Sequence, residues 1–483
     1  MNSFDLVAGA HQAMLDNGFS PEFPWDARAE LDRLPADAPH SRDVRDLRGL
    51  TWSSIDNAES RDLDQIEASE RLPGGDVRVL VGIADVDWLV RKGSALDAHA
   101  AANTSSVYTG VTVFPMLPAL LSEDRTSLNE GEDRPAIVVD MRVRPDGAIA
   151  DADVYRALVH NRAQLAYDEV GAWLEGTGPA PAKVTASPKL EDQLRMQDTI
   201  AQALKKRRYE RGALDLETLE ARPVLENGKI VRLELTKKSR ARDLIEDFMI
   251  AANGAMARFL EKKGVSSIRR VVKAPERWQR LVTLAGGLGE SLPDAPSSVA
   301  LSEFMAKRKA ASPDSFADLS LAVVKLMGPG EYALERAFQP HDGHFGLAMQ
   351  DYTHSTAPNR RFADLVTQRL LKAALDGSAP PYTDDELAAI ALRCTDKEND
   401  ARKVERTTRK QAAALLLSDH LGEEFASVVT GVTPKGSFVR LIDPPAEGRV
   451  VKGYEGLDVG DHVRVKLVAA EPSKGFIDFV RVE

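Results

Sequence analysis

The spacing of apolar positions divides the chain into stretches of different period. Phe4, Leu6, Val7, Met14 and Leu15 recur at helical spacing and predict one short helix, with a second from Trp25 to Leu34 before the proline-rich break PADAPH. From Asp46 to about Asp153 the texture turns to strand. VRVLVGIADV (77–86) and AIVVDMRV (136–143) are apolar runs rich in β-branched residues, separated by the loop-rich SSVYTGVTVFPMLP. Helical spacing then dominates. Leu190, Leu194, Ala201 and Leu204 make a stripe ending near Gly212, and a second helix over 243–263 carries Leu244, Phe248, Ala252, Met256 and Phe259 to a stop at Gly264. RPVLENGKIVRLELTK, between them, reads as a hairpin around Asn227-Gly228. A third helix spans about Pro358 to Asp376, with Pro358 near its first position. Thr383 and Glu386 form a capping box that opens a long helix reaching about Leu421. The remaining runs, FASVVTGV, GSFVRLID, HVRVKLVA and GFIDFVRV, are short strands between Gly, Pro and Asp turns and predict a small closed barrel of OB type.

Composition narrows the class. With 483 residues and 43% apolar content, the chain fills about three domains with real cores. Its one cysteine, Cys394, excludes an internal disulfide. The N-terminus carries acids where a signal peptide needs positive charge, and no apolar run approaches membrane-spanning length. These features predict a reducing, cytoplasmic setting, and a monomer is the default expectation. The net charge of −11 argues against indiscriminate nucleic-acid binding, yet the basic residues are clumped in KKRRYER (205–211), KKSRAR (237–242), RR (269–270), NRRF (359–362) and ARKVERTTRK (401–410). Each block is either a solvated helix face or one wall of a cationic groove.

The densest chemistry lies in SIDNAESRDLDQIEASE (54–70). In an extended segment Asp62 and Asp64 share a face, and Asp56 joins them if the chain folds back. Carboxylates held this closely resist full ionisation unless a cation lies among them. An acidic surface loop is one reading. A calcium loop over 56–67 fails, because Arg61 stands where glycine is required and Ala58 occupies a ligand position. A magnesium site acting on phosphate is the other reading. Three carboxylates and a bridging phosphodiester balance two divalent ions, and such a pair, about 4 Å apart, activates water and stabilises the leaving oxygen. STAPNRRF (355–362) adds Arg360 and Arg361 to the first turn of the third helix, where cations are disfavoured unless an anion is present or Arg360 pairs with Asp364.

SIDNAESRDLDQI, VGIADVDWLVRKGSALD, VFPMLPALLSEDRTSL, RGALDLETLEARP, DFMIAAN and YTHSTAPNRRFADLVTQRLLKA resemble, in this order, landmark segments of the RNB family of exoribonucleases, the ribonuclease II and ribonuclease R type. The likeness runs from about Asp46 to the end. It implies an α+β, multidomain chain: a short N-terminal helical segment (1–45), an RNB-type catalytic domain (46–424) and a C-terminal OB-fold barrel (425–483) that binds RNA. Family members typically carry two cold-shock OB domains before the catalytic part, and some 45 residues here cannot hold one.

The implied activity is processive, hydrolytic 3′-to-5′ degradation of single-stranded RNA to nucleoside 5′-monophosphates with one or two Mg²⁺ ions. The implied metal positions are Asp56, Asp62, Asp64 and Gln65, the last departing from the family's usual aspartate. Asp64 and Arg360 are the expected catalytic pair, Arg360 contacting the scissile phosphate. Tyr108 falls on the family tyrosine that stacks near the 3′ end, Leu216 stands where many members have phenylalanine, and Glu405 matches a glutamate near the RNA path. In the barrel, Phe438, Phe476 and Phe479 alternate with Lys435, Arg440 and Lys474, suited to stacking and backbone contact or, for some of the rings, to core packing. A catalytically weakened RNA-binding homologue, suggested by Gln65 and Leu216, and a DNA-directed nuclease are the rival readings.

Overall fold

The computed structural model describes residues 4–35, 43–217, 221–226, 229–235, 238–433 and 436–482. The N-terminal helices are Leu6–Asp16, capped by Asp5, and Trp25–Leu31. The next region builds a six-stranded sheet from β1 (Arg45–Asp46), β2 (Trp52–Asp56), β3 (Gln65–Arg71), β4 (Val77–Ala84) and two later, longer strands. A short hairpin, β5 (Val107–Tyr108) with β6 (Val113–Phe114), interrupts it. The long strands are β7 (Asp133–Val143) and β8 (Ile149–Ala166). The first part of β8 pairs antiparallel with β7 and its last part runs parallel to β2, so the order β8-β2-β3-β4-β7 returns to β8 and the sheet closes on itself.

The length of β8 is a correction: helical texture was expected to take over after about Asp153. From Val154 onward buried Tyr155, Ala157, Val159, Asn161, Ala163 and Leu165 alternate with more exposed neighbours, the period-2 pattern of a strand with one covered face. The polar residues among them dilute its hydrophobicity without changing its period.

The helix Arg240–Lys262 packs against β4, β7 and β8 and supplies Leu244, Phe248, Ala252 and Met256 to the main core. The helix Pro188–Glu210 lies beside it, and Gly212 and Gly264, which follow the two, adopt positive φ as stop positions require. β9 (Ala221–Glu226) and β10 (Lys229–Leu235) form the expected antiparallel hairpin, while its Asn227-Gly228 turn lies outside the described residues. The sequence reading did not anticipate β11 (Ser267–Val271) and β12 (Glu331–Glu335), nor the satellite core between them, where helices Trp278–Gly287, Ser298–Ala311 and Phe316–Met327 gather around Trp278, Leu281, Phe304 and Phe316.

The third predicted helix is shorter than expected, Phe362–Asp376, with Arg361 at its N-cap. Pro358, Arg360 and Arg361 therefore precede the helix. The capping box of Thr383 and Glu386 is present and opens the 34-residue helix Asp384–Leu417. That helix holds the two ends of the chain together. Ala401 and Val404 cluster with Ala13, Met14, Phe19 and Val107, while Ala413, Ala414 and Leu417 join the core of the C-terminal barrel. The barrel is closed, with order β13 (Glu424–Thr433), β14 (Gly436–Leu441), β15 (Glu447–Lys452), β17 (Phe476–Arg481) and β16 (His462–Glu471). Among the described residues no helix is long and apolar enough to cross a membrane.

Candidate active site

Asp56 ends β2, where it pairs with Ala166 of β8, and Gln65 opens β3, so the acidic segment is the connection between two adjacent strands. Backbone bonds fix its shape. The Leu63 N–H donates to Ser127 Oγ at 2.9 Å, and the Leu63 carbonyl accepts the Leu128 N–H at 3.0 Å. The Asp64 carbonyl accepts the Ala84 N–H at 2.9 Å. The loop before Phe362 closes over this connection. Asn359 donates its N–H to Asp64 Oδ1 at 2.9 Å, its side-chain oxygen accepts from the Thr126 hydroxyl at 2.5 Å, and Arg360 Nε lies 3.3 Å from Asp64 Oδ2.

Asp364 shapes that loop. One of its oxygens accepts the Ala357 N–H at 2.8 Å, and both accept from the Arg361 guanidinium at 2.7 and 2.9 Å. The pairing expected between Arg360 and Asp364 is thus made by Arg361, and Arg360 is directed to the acidic segment. The same loop is stitched to the β5–β6 hairpin, since the Arg360 carbonyl accepts the Ser106 N–H at 3.0 Å. Two residues on, the Tyr108 hydroxyl donates to Asp62 Oδ2 at 2.7 Å, and the residue is 40% exposed.

Burial pushes the Asp64 carboxyl up to about 7, against the pull of Arg360 and the Asn359 N–H and with the help of Asp62 and Asp364. Asp56 is raised for the same first reason, opposed by the Asn57 N–H and Arg360. A buried Asp64 Oδ2 that accepts no hydrogen bond is the kind of atom a hard cation satisfies, so the donor set fits a divalent ion with oxygen ligands. The acids are nevertheless not drawn into one tight cage. Among the described residues, the group of three candidate ligands whose atoms lie within 4.8 Å of one another is elsewhere, at Glu335, His341 and Asp351.

The remaining expected residues are dispersed. Half-buried Leu216 packs on the satellite core around Trp278. Glu405 is half-buried on the long helix. Phe438 and Phe476 stand on the barrel surface, 41% and 58% exposed, whereas Phe479 is fully buried core; Lys435 lies outside the described residues. Most cationic blocks are neutralised locally: Lys205 by Asp243, Arg208 by Asp247, Arg240 by Asp198, Arg270 by Glu398 and Arg402 by Glu398. Asn359 and Thr126 are site residues that sequence reasoning missed, and Asp364 figures in it only as a partner for Arg360. Their roles are carried by two backbone N–H groups, the Thr126 hydroxyl and a fold-back that no local pattern announces.

The RNB domain family matches residues 44–377, and the RNase II-type exonuclease C-terminal S1 domain matches residues 423–482. The chain is 32% identical to Ribonuclease R of Thermotoga maritima, over 96% of its own length and 68% of that protein. It is 30% identical to Ribonuclease R 1 of Lactococcus lactis, over 95% of its own length and 59% of that relative. It therefore spans roughly three-fifths to two-thirds of such relatives. Its fold superposes with a TM-score of 0.89 on Mycoplasma genitalium RNase R in complex with ribose methylated single-stranded RNA, at 24% identity, over 99% of this chain and 78% of that one.

Proposed function

The chain belongs to the RNB-domain family of exoribonucleases, and from that premise we propose that it hydrolyses single-stranded RNA processively from the 3′ end, releasing nucleoside 5′-monophosphates. The observation that carries this reading is the buried Asp64 carboxylate, with Arg360 and the Asn359 N–H converging on it from a separate loop. Asp56, Asp62 and Asp64, with the side-chain oxygen of Gln65, would hold magnesium, which supplies an activated water and neutralises developing charge. Asp64 is the acid on which the site depends most. Arg360, 42% exposed on its side chain, is free to swing from Asp64 to a phosphate oxygen and stabilise the charge that builds there. Tyr108, an exposed residue, offers its ring to the terminal base, and stacking tolerates any base. Residues 46–424 would carry catalysis, while 425–483 would capture the strand through Phe438 and Phe476. Leu216 and Glu405 are assigned to the RNA path, and reading of the sugar 2′-hydroxyls would favour RNA over DNA.

A second reading, an RNA-binding homologue with weakened turnover, is favoured by Gln65, which offers a metal an oxygen but no charge. Incubation of 5′-labelled oligo(A) with the protein and Mg²⁺ separates the two. A short end product is expected, lost with chelator and lost in Asp64→Asn. Full-length RNA persisting in a shifted complex would establish the second reading, and equal degradation of a matched DNA oligomer would refute ribose discrimination.

A further inference from the structure

At 1.5 Å per residue, the 23-residue helix Arg240–Lys262 separates its two ends by about 34 Å. Arg242 bonds Asn57, next to Asp56, at the first end. At the other, Glu261 faces Arg269 of β11 and the loop that follows β12. We propose that Glu335, His341 and Asp351, at this remote end, form a binding site for one divalent transition-metal ion of the zinc class.

The ligand atoms of the three residues lie within 4.8 Å of one another, with His341 Nε2 at 3.0 Å from Glu335 Oε1 and 3.7 Å from Asp351 Oδ1. The Glu335 side chain is 4% exposed and neither of its oxygens accepts a hydrogen bond, although Oε1 lies within ion-pair distance of Arg269 and His341. A buried carboxylate oxygen without a partner is costly, and a metal ion is one partner that removes the cost. Charge points the same way. Glu261, Glu335 and Asp351 gather around one buried guanidinium, Arg269, whose Nη2 is 3.2 Å from Glu335 and 3.7 Å from Glu261. Carboxylates outnumber that guanidinium by two, the charge of one divalent ion. Arg258, on the solvent side of the cluster, also acts on Asp351 and reduces this excess without touching Glu335 or His341.

The imidazole is presented as a ligand would be. Its Nδ1 sits 3.3 Å from the Asp342 carbonyl and 3.4 Å from Gln350 Nε2, and in the tautomer that donates to the carbonyl the Nε2 lone pair faces the carboxylates. The arms that carry His341 and Asp351 are already tied. Gln350 Nε2 donates to the His341 carbonyl at 2.7 Å, and the His344 N–H donates to the Met349 carbonyl at 2.7 Å. One imidazole among carboxylates selects zinc-class ions over magnesium, which prefers an all-oxygen shell.

The competing account is a protonated His341 bridging the two acids with no metal. The test uses full-length protein carrying Asp62→Asn and Asp64→Asn, so that the catalytic acids contribute little, stripped with chelator and titrated with Zn²⁺ or Co²⁺. Metal retained per chain after gel filtration, the visible absorption of Co²⁺ and the melting temperature are read together. One tightly held equivalent and a melting temperature that rises with Zn²⁺ are expected. Asp351→Asn should weaken the affinity at least about tenfold. His341→Lys, which keeps a bridging cation but offers no ligand at neutral pH, should abolish retention. No retained equivalent, or equal retention in the His341→Lys protein, overturns the proposal.

Discussion

Arg360 and Arg361 are neighbours in sequence and point to different acids: Arg360 Nε lies 3.3 Å from Asp64, while Arg361 makes a two-pronged contact with Asp364. One arginine builds the loop and the other is left available to a substrate. Their substitutions should therefore fail in different ways.

Arg360→Ala should lower the single-turnover rate on oligo(A) by about 10²–10³-fold, the scale of losing one preorganised donor to developing charge. The melting temperature should stay near that of the parent, because the side chain is partly exposed. A rate within about threefold of the parent would remove Arg360 from the chemistry.

Asp364→Ala strands the Arg361 guanidinium and frees the Ala357 N–H. The expected loss is about 3–5 kcal/mol in urea unfolding, as for other buried pairs broken on one side. Arg361→Met with Asp364→Leu, which removes both charges, should recover much of that stability while the rate stays low, because Arg360 is no longer positioned.

Tyr108→Ala should weaken binding of short RNA to a turnover-dead Asp64→Asn background by about 1–3 kcal/mol in fluorescence anisotropy. Tyr108→Phe keeps the ring and loses the hydroxyl that holds Asp62, so its binding should stay close to that of the parent. Similar weakening by both substitutions would mean that the hydroxyl, not the ring, matters.

His344 carries a pH signature. Burial lowers its imidazole to about 4, and Nδ1 accepts the Leu347 N–H at 3.1 Å, a bond that protonation destroys. The folded value lies below the unfolded value of about 6.5, so the unfolded chain binds the extra proton first. Its contribution is complete above about pH 6.5 and is lost as pH falls toward 4, by up to about 3 kcal/mol. Urea midpoints between pH 4 and 7 should flatten in His344→Gln relative to the parent.

Much of this architecture was legible in the residues. Runs such as VRVLVGIADV and the caps at Gly212, Gly264 and Thr383 announce themselves, because apolar period and turn chemistry act within a few residues. The acidic segment was legible for the same reason. The start of the helix at Phe362 was not, because Asp364, inside the helix, reaches back to the Ala357 N–H and the Arg361 guanidinium and holds residues 357–361 in a loop that local spacing does not reveal. The later half of β8 escaped because its polar residues mask a period of two. The partial burial of Leu216 depends on a satellite core whose existence no local spacing signals.

The helix Leu6–Asp16 rests on the long helix and on Val107, the residue just before Tyr108. The bite proposed for the terminal base is thereby mechanically continuous with the amino-terminal segment. A partner or a pulling force that peeled this segment away would slacken the jaw while leaving every acid of the site intact.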